Sequence, residues 1–166
     1  MKRHLLAHFV DIKMDTTFAT SEYHLLGEGI NSLTEEFNPE EETEQWINQA
    51  NGTTDIKSYT PSISVEMQDV DQEDTDLLTW VNNMIDTLPT GKEAVTSYIR
   101  VRVQGNGPEY PAVRRQCAIS VGSTGGDAGG NVNNALTIGG RGDGVKGTFN
   151  MKTKTFTETT TASASS

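Results

Sequence analysis

The sequence predicts a mainly β domain with one flanking α-helix, built as a β-sandwich or a partly open barrel. Three observations carry that expectation. Only 34% of the residues are apolar and 16 are glycine, a composition that favours turns and extended chain over a helix bundle. Several stretches alternate apolar and polar residues with a period of two, and only one has a helical period. At 166 residues the chain is long enough for one self-supporting domain. Its core is expected to be modest and completed by neighbours.

"HFVDIKM" (8–14) and "SEYHLLGEGI" (21–30) read as short strands around a Thr-rich turn, with Gly27 and Gly29 ending the second. Residues 32–61 form a long polar stretch without sustained period, expected as a loop of 30 residues' span, and such loops are commonly functional. "SISVEMQDV" then alternates, with Ile63, Val65 and Met67 inward and Ser64, Glu66 and Gln68 outward. Over 73–88 the period becomes helical through Leu77, Val81, Met84, Ile85 and Leu88. Acidic residues precede it and complement a helix N-terminus, while Pro89 and Gly91 stop it.

"SYIRVRV" places Ile99, Val101 and Val103 inward against Tyr98, Arg100 and Arg102, and "AVRRQCAISVG" places Val113, Cys117, Ile119 and Val121 inward. "GNGPEYP" between them is a hairpin connection, and the arginine faces are expected to pair with Glu66 across strands. "GSTGGDAGG" is expected as a flexible loop, "NVNNALTI" as a strand, "GGRGDG" as a tight turn and "VKGTFNM" as the last strand. A single domain over 1–152 follows, with an N-terminal arm or strand over 1–20. Residues 153–166, poor in core residues, are expected as an arm or disordered tail.

The net charge of −10 disfavours tight nucleic-acid binding, which concentrates Lys and Arg to neutralise phosphates. A surface that must pass DNA without holding it suits the same charge. The lone Cys117 excludes an intramolecular disulfide and fits a reducing cytoplasm. The apolar run from Leu5 to Val10 is interrupted by His8 and is too short for a signal core or a membrane span, so neither export by that route nor anchoring is expected.

No catalytic set assembles. Glu35, Glu36, Glu40, Glu41, Glu42 and Glu44 lack the alternating Asp/Asn and turn Gly of a calcium loop and read as a solvated acidic face. "DVDQEDTDLLTW" begins like an EF-hand loop, but Asp74 stands where Gly is required and Trp80 where the bidentate Glu belongs; helix capping by Asp71 or Asp74 accounts for it. His4 and His8 lack a third metal ligand and read as surface histidines, and Cys117 as a buried small hydrophobe. Neither glycine-rich stretch has the ending of a phosphate loop, and the Asn51 sequon carries no weight without a secretory signal. No metal and no cofactor is expected.

From Glu22 to Asn150 the order of features resembles the tail tube proteins of long, non-contractile-tailed bacteriophages. The stretches that carry the resemblance are "YHLLGEGINSLTEEFNPEEETEQWIN", "SYTPSISVEMQ", "DLLTWVNNMI" and "GGRGDGVKGTFN", and about three quarters of the chain is covered. The resemblance implies a non-enzymatic virion protein with a tail-tube-like fold, present in the host cytoplasm during assembly. Its copies would close into hexameric rings stacked head to tail, with other tail proteins at the tube ends. Six subunits would then share an inner β-barrel around a channel that passes double-stranded DNA without specific binding. The 32–61 loop and the termini would carry the contacts between subunits.

Phe37, Pro39, Trp46, Ile47, Tyr59 and Pro61 are the interface candidates, because no periodic core face accounts for them. Glu66, Gln68, Arg100 and Arg102, on polar strand faces, are the channel-lining candidates. The rival readings are a tube subunit of a contractile tail or phage-like particle, a calcium- or carbohydrate-binding β-sandwich and, with least support, an acidic hydrolase.

Overall fold

The computed structural model describes residues 2–27, 29–69 and 75–159. Among the described residues ten strands and one α-helix follow one another: β1 (Leu6–Asp11), β2 (Tyr23–Leu25), β3 (Ile30–Glu36), β4 (Pro39–Glu44), β5 (Thr53–Tyr59), β6 (Ser62–Asp69), α1 (Thr75–Thr87), β7 (Val95–Arg102), β8 (Glu109–Gly125), β9 (Val132–Asn150) and β10 (Thr155–Glu158). Eight of the strands form one antiparallel sheet in the order β2-β1-β7-β8-β9-β6-β3, with β10 added to β9; β4 and β5 pair only with each other. The mainly β class with one helix is observed as the alternation predicted.

Two cores lie on opposite faces of β7, so this strand is buried on both sides. Tyr98 joins Val10, Cys117, Ile119, Leu136, Ile138, Ile63, Val65 and Met67 in the larger core. Ile99 and Val101 join Phe9, Tyr23, Ala112 and Phe149 in the smaller one. Tyr98 therefore does not belong to a solvated outer face as its place among the arginines suggested. The larger core, to which the helix and strands β3 and β6 contribute, covers that face.

The sheet curls in both directions. Glu35 on β3 and Tyr98 on β7 are four strands apart, about 19 Å in a flat sheet, yet the Tyr98 hydroxyl donates to the Glu35 carboxylate at 2.9 Å. The larger core is thus wrapped into a barrel whose seam runs between β1 and β3. On the other face, Phe9 on β1 and Phe149 on β9 are three strands apart, about 14 Å when flat, but their rings stand 4.5 Å apart.

The device that allows both curls is the long β8–β9 ribbon. The first half of β9 pairs with β6 and the second with β10, and the register against β8 slips between Arg114 and Gln116, where Gly142, Asp143 and Gly144 oppose Arg115. "GGRGDG" is therefore not a tight turn between strands but a bulge within one strand of 19 residues. Gly142 takes φ +73°, and a Cβ on Gly144 would stand 2.7 Å from Val113 Cγ1, so both positions favour glycine. Likewise "GSTGG" is not loop from its start, because β8 extends through Gly125.

Leu77, Trp80, Val81 and Met84 of α1 close the larger core. Leu88 is not a core residue: the helix ends at Thr87, and Leu88, at the position just past that end where the left-handed conformation is common, adopts φ +46° with 61% exposure. The capping roles expected of Asp71 and Asp74 lie outside the described residues. "SEYHLLGEGI" yields only a three-residue β2 before β3 begins at Ile30. Within the segment expected as an arm, Thr155–Glu158 instead pairs with β9, and Phe156 packs against the smaller core; residues 160–166 lie outside the described residues.

Candidate functional site

The polar stretch 32–61 is not one loop. Its first residues complete β3 against β6, and the rest forms the β4–β5 hairpin, every strand residue of which is exposed. Asn38 starts the hairpin from the left-handed region (φ +46°), which asparagine tolerates, and its amide donates to the Thr60 carbonyl at 3.0 Å and the Ser62 hydroxyl at 3.2 Å. Within the hairpin, Thr43 meets Thr54 at 3.0 Å and Lys57 meets Glu42 at 3.0 Å. A half-exposed pair of that kind stabilises by about 0.2–1 kcal/mol. A two-stranded hairpin without a packed face is marginal in water.

The hairpin carries most of the interface candidates. Phe37, Trp46, Ile47 and Tyr59 are 43%, 63%, 107% and 57% exposed, Pro39 is exposed, and Ile56, which sequence reading passed over, is 53% exposed. Pro61 is the exception: it is buried at the root, where its carbonyl accepts from the Gly140 amide at 2.7 Å, so its surface is already used within the subunit. Phe37 also sits at the root, 5.5 Å beneath the Arg100 guanidinium.

Glu35 is not part of a solvated acidic face. Only 7% of its side chain is exposed, and it accepts from Tyr98, from Arg100 at 3.0 Å and from His8 at 3.3 Å, binding β3 to β7 and β1 across the seam. Burial raises its pKa, but the His8 hydrogen bond, the Arg100 charge and the Tyr98 hydroxyl outweigh that and hold the carboxyl at about 2. His8, at 2% exposure, is correspondingly not a surface histidine. The expected cross-strand pairing of Arg100 with Glu66 does not occur, since β8 and β9 separate β6 from β7. Cys117 is buried as expected, and burial pushes its thiol up to about 12.

The four channel-lining candidates do not share one face. Arg100 lies on the Tyr98 side of β7 at the seam, Arg102 beyond it is exposed, and Glu66 and Gln68 lie on the outer face of β6. That outer face continues over four strands with small polar residues. In one rung Thr34, Ser64, Thr137 and Ser120 stand side by side, all exposed. The neighbouring rungs hold Ser32, Glu66, Ala135 and Ser123, then Glu36, Ser62, Gly139 and Ala118. The wall therefore carries two glutamates and no Lys or Arg in these rungs. Alternation in "SISVEMQ" announced one strand of it; the cross-strand register that builds the rungs leaves no mark in the sequence.

Glu22, His24 and Asp76 bring ligand-type atoms within 4.8 Å of one another, the one such grouping among the described residues. His24 Nε2 stands 2.8 Å from Glu22, and Lys13 stands 3.8 Å from the same carboxylate, so Glu22 and His24 have partners without an ion. Among the described residues no helix is long and apolar enough to cross a membrane.

No protein-family model matches the chain, and no curated protein matches it significantly. Solved structures do. A chain from the tail of an empty gene transfer agent particle, solved by helical refinement with C6 symmetry, aligns over 87% of this chain and 96% of its own, with a TM-score of 0.58 and 13% identity. A chain from the virion of a native gene transfer agent particle aligns over 95% of this chain and 98% of its own, with a TM-score of 0.54 and 14% identity. At such identity the likeness shows a shared fold.

Proposed function

We propose that the protein is the structural subunit of a phage-like tail tube, closing into hexameric rings that stack head to tail around a DNA channel. The observation that carries this reading is the β4–β5 hairpin, which displays Trp46, Ile47, Ile56 and Tyr59 and covers none of them. Burying each against a neighbour contributes on the order of 2 kcal/mol, reduced by the costs of ordering and association. The shared fold with chains of gene transfer agent particles, one of them from a tail refined with C6 symmetry, supports a place in a phage-like particle.

The hydroxyl wall is the channel lining in this reading, with Glu66 and Glu36 facing the lumen. Small polar side chains offer no pocket to bases, and the two carboxylates repel phosphates. Arg100 is excluded from the lining by its seam contacts with Glu35 and Phe37. No arrangement of acid, base and nucleophile in this reading performs chemistry; the function is assembly. Negative-stain microscopy of the concentrated protein is expected to show rings and hollow tubes. A monodisperse monomer at every concentration would refute the reading.

A further inference from the structure

Beside the seam lies an apolar trough that the hairpin of the same subunit does not fill. One part, about 630 Å³, is lined by Leu6, Leu25, Leu26, Ile30, Val103 and Met151, with Arg3 and His4 at its rim. A second part of about 410 Å³ shares Arg3, Leu6 and Leu33 with the first and adds Arg100 and Arg102. Pockets of roughly 300–1,000 Å³ take ligands of drug size, so an indole and a branched aliphatic side chain fit the first part. Leu25 in its wall is 41% exposed.

The charges complement those of the hairpin. Arg3 donates to the Leu33 carbonyl at 3.4 Å and to the Leu6 carbonyl, and neither it nor Arg102 pairs with a carboxylate among the described residues. Between Pro39 and Tyr59 stand Glu40, Glu41, Glu42, Glu44 and Asp55 against the single Lys57. The subunit's own tip is out of place for this trough. Phe37 at the hairpin root lines its second part, and β4 carries the tip about 20 Å from that root. Residues 160–166, "TTASASS", have no large apolar side chain to fill it.

We infer that the hairpin tip of one copy seats Trp46 and Ile47 in this trough on a second copy, with Glu44 beside Arg3. Tip and trough are different surfaces, so in the tube reading the contact is heterologous and propagates from copy to copy. The inference deepens the tube reading and rests on it for the identity of the partner.

Mixing an Ile47→Cys chain with a Leu25→Cys chain under mild oxidation tests it, with native Cys117 left in place because it is fully buried. A disulfide-linked heterodimer is expected at a yield at least tenfold above that of Ile47→Cys mixed with Ser120→Cys on the hydroxyl wall. In the same Cys pair, Arg3→Glu should lower the yield at least tenfold and Glu44→Arg should restore it. Microscopy of the wild-type protein at the same concentration separates the two claims. Tubes without the Leu25 cross-link, or with the Ser120 cross-link in its place, overturn the docking and leave the tube reading standing. The Leu25 cross-link without rings or tubes supports the docking and overturns the tube reading, while neither cross-link nor assembly overturns both.

Discussion

Glu35 shows how much one side chain can decide. It stands in a run that reads as surface acid, yet the fold places three donors from β1 and β7 around it, and it holds the barrel seam shut. Glu35→Gln removes the charge and leaves Arg100 and Tyr98 with a weaker acceptor. Loss of roughly 2–4 kcal/mol is expected, seen as a Tm lowered by on the order of 10 °C. The pH dependence follows from the sign of the shift. A carboxyl held at about 2 when folded, against an ordinary 4.5, contributes fully above about pH 5 and loses that contribution as pH falls through 2. Asp15, held well below the usual carboxylate range by four donors from Thr17 and Thr20, steepens the same acid limb. Urea titrations of wild type and Glu35→Gln should therefore diverge most near pH 6 and converge near pH 2; a constant gap would contradict the seam's electrostatic role.

The hairpin is the element whose stability and usefulness separate. Because its strands cover no core residue, truncating its tip removes no packing from the subunit. Trp46→Ala is expected to leave the monomer's unfolding free energy within about 0.5 kcal/mol of wild type. Ring and tube formation should require at least several-fold more protein. Thermal unfolding and light scattering on the same samples check both halves, and a matching loss of stability would show that the tip packs within its own subunit. The β8–β9 ribbon is the opposite case. Its glycine bulge lets one strand pair serve two cores, so damage there reaches the whole sheet.

For the molecule as a whole, the formal charge of −10 meets a wall of hydroxyls and two glutamates. Without Lys or Arg in those rungs there are no phosphate contacts to release counterions from DNA, and as the lining of the proposed tube such a wall would give low friction in place of affinity. Assembled tubes are expected to retain no duplex DNA in a gel-shift assay even at about 50 mM salt, where electrostatic binding is strongest. The Glu66→Lys variant should gain retention if the wall faces the lumen. Retention by wild type, or none by the variant, would place the lining elsewhere.

Periodicity by itself determined the β class, the single helix and most of the larger core, because alternation in "SISVEMQ" and the helical spacing of Leu77, Val81 and Met84 are local facts of chain geometry. It also isolated Phe37, Pro39, Trp46, Ile47 and Tyr59 as lacking an inward face, though not Ile56. The tertiary structure alone decided which strands are neighbours: that Tyr98 is inside, that Arg100 answers Glu35 and not Glu66, that "GGRGDG" bends a strand instead of ending one, and that four hydroxyls line up in a rung. Those outcomes depend on contacts between residues far apart in the chain. A period of two says that a side chain points to one face or the other, and strand order decides what stands there.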